Sequence, residues 1–192
     1  MLFKSRWKEL IMSISLGAFV LVGCTSPSYT TGDLIKQDKL SLERAVEVAK
    51  AEAAIKATVE RFIGVFSRYS QEEIARVIPE IYEDKAFLND RIHSVRGSEN
   101  IATYFNGTFD KVDKARFDIH DVYYGKSDAV LRWTMVLYVS EGDEPMMFQG
   151  MSQLRFNGAG KIVFHQDYWD FSEFVSDIWG IGGIIKFIKS KA

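Results

Sequence analysis

The second half of the chain constrains the fold most. Four strand-like stretches follow one another there, over 115–124, 129–140, 146–157 and 161–169, rich in aromatic and β-branched residues and close to alternating. Turn-forming clusters join them: Gly125 to Asp128, Glu141 to Asp143, and Asn157 to Gly160. Strands joined so briefly pair with their chain neighbours, which predicts an antiparallel meander. The first half carries the helical period instead. Helices first and strands after predict an α+β fold, with a curved antiparallel sheet wrapped on N-terminal helices.

The helical part divides at recognisable signals. Val48, Ile55, Val59, Phe62 and Phe66 recur at helical spacing, which predicts one long helix from about Leu42 to Phe66. Ser70 with Glu73 is a capping box that opens a second, shorter helix, and Pro79 lets it run only about a turn more. Residues 86–89 read as a short strand. Ser98 caps a third helix carrying Ile101, Tyr104 and Phe105, which Gly107 is expected to close. Residues 171–192 are amphipathic, interrupted by Gly180, Gly182 and Gly183, and end on Lys186, Lys189 and Lys191. That tail suits a helix packed on the sheet or on a second subunit, or one touching anionic lipid.

The N-terminus reads as a targeting segment. Lys4, Arg6 and Lys8 precede an apolar run from Leu10 to Val22. A helix needs about twenty residues to cross a bilayer, so this run fits a cleaved signal peptide better. It closes on Leu21, Val22, Gly23 and Cys24, which resembles the lipobox of bacterial lipoproteins. The resemblance implies cleavage before Cys24, its acylation (palmitate among the chains), and anchoring of the protein to a membrane of the cell envelope. Thr25, where an aspartate favours inner-membrane retention, implies the outer membrane facing the periplasm if the source is Gram-negative. Cys24 is the only cysteine, so no intrachain disulfide forms and lipidation accounts for the thiol. The expected organisation is a signal peptide over 1–23, a lipidated tether over 24–40 with no hydrophobic period, a domain over 41–170, and the tail. With 24 Lys and Arg scattered against 26 Asp and Glu, net charge −2, the chain lacks a nucleic-acid footprint.

Three stretches carry a further likeness: Val59 to Phe66 with the capped helix after it, Tyr82 to Asp90 running on to Gly97, and Leu154 to Val163. Their order resembles the nuclear transport factor 2-like superfamily, which includes the SnoaL-like polyketide cyclases and ketosteroid isomerases. The resemblance implies a cone-shaped, cystatin-like α+β barrel around an apolar pocket, and a homodimer formed through the sheet. It places Asp90 where ketosteroid isomerases keep their carboxylate base. The two oxyanion donors fall on Phe62, which has no hydroxyl, and Ser152, a weaker donor. Losing one such donor costs about 10²–10³ in rate, so steroid isomerisation by that mechanism is not expected.

On the last strand His165, Asp167 and Trp169 alternate and so share a face. The resemblance turns that face toward the pocket, with Trp133, Met135 and Leu137 lining it from a neighbouring strand. Asp90, His165 and Asp167 are the candidate catalytic groups; Phe62, Trp133, Met135, Leu137, Ser152 and Trp169 are the candidate ligand lining. A histidine beside a carboxylate serves as a base or holds a polar ligand group, and equally forms a structural pair. Asp90 can equally just close a turn. His93 reads as a loop residue and His120 as an exposed one. Three histidines without ligand spacing give no metal site, and no cofactor is expected. Three readings follow: a membrane-anchored module binding a small apolar or amphipathic molecule, a proton-transfer enzyme (isomerase, dehydratase or cyclase) with Asp90 or His165 as base, and a non-catalytic interaction or oligomerisation module.

Overall fold

A computed structural model describes residues 30–44, 51–109, 114–138, 142 and 144–172. The signal peptide, Cys24 and most of the amphipathic tail lie outside the described residues. The unit described here is Tyr29–Asp170. No helix among the described residues is long and apolar enough to cross a membrane.

The first helix, α1 (Thr31–Arg44), occupies sequence expected to be unpatterned tether. Its start carries a capping signal that the Ser, Thr and Gly composition conceals. The Asp33 carboxylate accepts from Thr30 N and Oγ1, both at 2.8 Å, and Asp33 N donates back to Thr30 Oγ1 at 3.2 Å. Leu34 then packs on a cluster of Phe87, Val163 and Phe164, so tertiary contact supplies what periodicity did not announce.

The long helix expected over 42–66 is two elements, since α1 ends at Arg44 and α2 spans Glu52–Arg68. Ile55, Val59, Phe62, Val65 and Phe66 are its buried face. Tyr69 ends it in the left-handed region (φ 40°), with its amide on Val65 O, and its hydroxyl donates to Phe105 O at 3.0 Å. The capping box forms as expected, with Ser70 accepting from Glu73 N at the start of α3 (Gln71–Ile81). Pro79 sits in the last turn of α3, where its missing amide forgoes one bond and only two helical residues follow.

Strand β1 (Tyr82–Asn89) follows α3 directly and is twice as long as the expected 86–89. A tight turn leads to β2 (Ser94–Arg96), a strand absent from the sequence reading. Helix α4 (Ser98–Phe109) continues through Gly107 rather than closing there. The meander then runs β3 (Lys114–Tyr124), β4 (Asp128–Tyr138), β5 (Met146–Phe156) and β6 (Ile162–Trp169), all within two residues of the expected ends.

The sheet order is β2-β1-β6-β5-β4-β3. Every pair is antiparallel except β1 with β6, which run parallel with Leu88 opposite His165. A parallel pair needs a crossover, and everything from β2 to β5 provides it. This join places Asp90, at the end of β1, close to the end of β6. Helices α2, α3 and α4 cover one face and share one core with it, from Val59 and Phe62 to Leu131 and Trp133. At the β5–β6 turn Asn157 Oδ1 accepts from the amides of Ala159 and Lys161, both at 3.0 Å. Gly160 there has φ +76°, and an added Cβ would stand 2.7 Å from that of Ala54, so the turn lies directly on α2.

Candidate functional site

The sheet pleat and the parallel β1–β6 join gather most of the expected residues on the face toward α2 and α4. His165 is 2 % exposed, and both ring nitrogens are bonded. Nδ1 stands 2.7 Å from the Tyr82 hydroxyl and Nε2 stands 2.8 Å from Asp167 Oδ1. Burial, then the negative charge of Asp167, push the Tyr82 phenol well above its usual range, so it keeps its proton. Tyr82 therefore donates to Nδ1, and Nε2–H donates to Asp167. The same Asp167 oxygen accepts from Ser152 Oγ at 2.5 Å, and Ser152 accepts from Trp133 Nε1 at 2.9 Å. The result is a directed chain of five residues converging from both sides on one carboxylate oxygen. Phe62 and Phe105 pack their rings against the imidazole, with centroids 5.5 and 6.4 Å away.

Asp90 holds a second, adjacent cluster. Its Oδ1 accepts from the amides of Ile92 at 2.9 Å and His93 at 2.7 Å, which shapes the β1–β2 turn and places Arg91 at φ 79°. Its Oδ2 accepts from the Tyr104 hydroxyl, and His93 Nδ1 lies 3.3 Å from that hydroxyl. Trp169 Nε1 donates to the Asp90 carbonyl at 2.8 Å, which ties the end of β6 to the end of β1. Burial raises the Asp90 carboxyl above its ordinary value. The bonds from Tyr104 and His93 oppose that rise, and the charge of Asp167 adds to it.

This shift has a checkable consequence. A carboxyl raised in the folded state stabilises the fold most when protonated, and that contribution is lost as pH rises through the folded pKa. Asparagine accepts the same two amide bonds and carries no charge. Asp90→Asn should therefore gain stability relative to wild type as pH rises above the ordinary carboxylate pKa of about 4, read as the difference in urea midpoints; a constant difference would contradict the electrostatic origin.

Exposure grades across the site. Tyr82, His165, Ser152 and Trp133 are buried, whereas Asp90, Tyr104, Met135, Leu137, Asp167 and Trp169 are half-buried. Trp133 lies against Gly150, where a Cβ would come within 2.4 Å of the indole, so the glycine makes room for the ring. Met135 packs against the shared core, and Trp169 meets Phe148 with centroids 5.8 Å apart. Leu137 lies two residues beyond Met135 on β4, opposite Met146 of β5. His93 lies in the β1–β2 loop and His120 is exposed, each as expected; His120 Nε2 is 2.8 Å from Thr134 Oγ1. Among the described residues no three His, Cys, Asp or Glu side chains converge as a metal site.

Tyr82 and Tyr104 are the polar members that the sequence reading missed. Tyr104 reads as an apolar helix position, and its hydroxyl is what reaches Asp90. Tyr82 preceded the expected strand, and the polar run Glu83 to Lys85 hid the strand's true start.

With this geometry in view, comparison with known proteins gives a consistent result. The pattern of the SnoaL-like domain matches residues 54–165. Comparison with curated proteins found no match. Among solved structures, an LEH-like epoxide hydrolase of M. tuberculosis is similar at 18 % identity and TM-score 0.51, over 62 % of this chain and 80 % of that one. A nuclear transport factor 2-like protein of unknown function from Burkholderia pseudomallei is similar at 11 % identity and TM-score 0.56, over 66 % and 98 %. A Catenulispora acidiphila protein with a ketosteroid isomerase-like fold, in complex with trimethylamine, is similar at 15 % identity and TM-score 0.52, over 60 % and 86 %. At these identities the structures share the fold alone.

Proposed function

The chain belongs to the SnoaL-like domain family, and from that premise we propose that it is a lipid-anchored protein whose domain binds a small amphipathic molecule over the face carrying Asp167, Trp169, Tyr104 and Asp90. The observation that carries this reading is the completeness of the His165 chain. Both imidazole nitrogens are committed inside the protein, so His165 is held as a strut rather than kept free as a base. The polar groups it fixes stand among aromatic rings at the half-buried end of the site. An apolar wall with a few oriented polar atoms is what orients a small ligand. The trimethylamine held by the Catenulispora protein is a ligand of the size this reading requires. The test is a screen of small amphipathic molecules read on the indole N–H resonances of Trp133 and Trp169. Binding should move both signals; a broad screen that moves neither sinks the proposal.

A proton-transfer enzyme is the second reading, and one observation favours it. Burial raises the Asp90 carboxyl above its ordinary value, which is the direction that makes a carboxylate a stronger base. The position matches that of the base in ketosteroid isomerases, while Phe62 and the committed Ser152 leave the family's oxyanion donors unreplaced.

Anchoring rests on the sequence around Cys24. Several acyl chains, at about 0.8 kcal/mol per buried methylene, hold a protein firmly to a membrane. Cys24→Ser should move the protein from the membrane fraction to the soluble fraction. Retention of that variant on membranes would place the anchor elsewhere.

A further inference from the structure

The half-buried end of the site has an unbalanced charge. Asp167 accepts two hydrogen bonds, from Ser152 and His165, and both go to Oδ1. No donor among the described residues reaches Oδ2. Asp90 stands at the end of β1 that Trp169 ties to the end of β6, and the charge of Asp167 acts on it. Two carboxyls thus share one interior face.

Among the described residues the ion-paired arginines lie elsewhere. The buried Arg155 is spent on Asp128 and Asp38, and it lies over the Phe164 ring on the sheet face that α1 covers. Arg116 and Arg132 pair with Asp118 and Asp121 on exposed strand positions, and Arg61 pairs with Glu80. No Lys or Arg ion pair with Asp90 or Asp167 occurs among the described residues.

The second feature is the wall. Tyr104 bonds the Asp90 carboxylate and Trp169 the Asp90 carbonyl. Phe62 and Phe105 pack on the imidazole that bonds Asp167, and Trp133 donates to the serine that does the same. Aromatic faces attract cations. Tyr82, Ser152 and Trp133 already give their donor hydrogens to other residues of the chain. Among the described residues the acceptor Asp167 Oδ2 is left for a ligand. An anionic ligand would meet two acids that no Lys or Arg among the described residues pairs with, and a neutral apolar one would leave Oδ2 unsatisfied.

We propose that the ligand of this face is an organic monocation, an amine or quaternary ammonium with a compact apolar body, set against Asp167 Oδ2 with Trp169 and Tyr104 beside it. This rests on the ligand-binding reading above and narrows it to one chemical class.

The test uses three probes of nearly one shape and different charge: phenyltrimethylammonium, tert-butylbenzene and benzenesulfonate. Each is titrated into the full domain while the indole signals of Trp133 and Trp169 are followed. Phenyltrimethylammonium should bind at least about tenfold more tightly than tert-butylbenzene, and benzenesulfonate should not bind. Asp167→Asn should remove that preference while leaving tert-butylbenzene binding in place, and Asp90→Asn should weaken it. If the neutral or anionic probe binds as tightly as the cation, the inference fails and ligand binding stands. If none of the three moves either indole, this inference fails on its own; the broad screen then decides the reading beneath it.

Discussion

Arg155→Ala should lower stability by about 3–5 kcal/mol, because it removes one partner of a buried ion pair and leaves the other behind. Arg155 is 3 % exposed. Its Nε and Nη2 donate to the two Asp128 oxygens, both at 2.8 Å, and its Nη1 donates to Asp38 O at 2.7 Å and Asp38 Oδ1 at 2.5 Å. One guanidinium therefore joins β5 to β4 and fastens α1 onto the sheet. Burial works to raise the Asp128 carboxyl, but the bond and charge of Arg155 outweigh it and leave the group below its ordinary value. A depressed carboxyl contributes stability above its unfolded pKa of about 3.9 and loses it as pH falls through the folded value. The deficit of Arg155→Ala should thus be full at pH 7 and shrink below about pH 4. The double variant Arg155→Met with Asp128→Asn, which removes both charges, should recover much of the loss. Urea titrations across pH check this; a deficit under about 1 kcal/mol at pH 7 would mean the pair is effectively solvated.

His165→Ala should cost a similar amount, about 3–5 kcal/mol, for a different reason. The substitution empties the space between Phe62 and Phe105. It also strands the Tyr82 hydroxyl, which is fully buried, and withdraws one of the two donors that hold Asp167. Tyr82→Phe, which deletes one hydroxyl and no volume behind it, should cost only about 1–2 kcal/mol. The ordering of the two variants is the discriminating result. Equal losses would mean that the imidazole contributes through its bond to Tyr82 alone. Because His165 carries so much of the fold, loss of ligand binding in His165→Ala has no bearing on a functional role. Asp167→Asn keeps the volume and is the better probe of function.

The four-strand meander was legible because its turns are local chemistry and its strands alternate. The shared face of His165, Asp167 and Trp169 followed from the same period of two, and their gathering with Ser152 and Trp133 follows from register (Ser152 opposite Asp167, and Leu131 opposite Ser152). What escaped the sequence depends on pairing between distant segments. The parallel β1–β6 join brings Asp90 beside Trp169, and no local pattern encodes a partner some eighty residues away. Strand residues Tyr82 to Lys85 were hidden because three polar side chains follow the tyrosine. Helix α1 was hidden because its composition is that of a linker, and its stability comes from Leu34 and from Asp38 on Arg155 rather than from its own period. Arg155 itself sits in a stretch that reads as an ordinary hairpin, and only the fold shows that its charge is buried.

The central claim is that the face bearing Asp167 and Trp169 holds a small molecule. Native mass spectrometry of the domain, purified gently from the cells that make it, tests this most directly. The account predicts a population heavier than the polypeptide by one small organic molecule, retained in wild type and lost in Asp167→Asn. A single bare mass in both proteins, at concentrations where weak complexes survive, would contradict it.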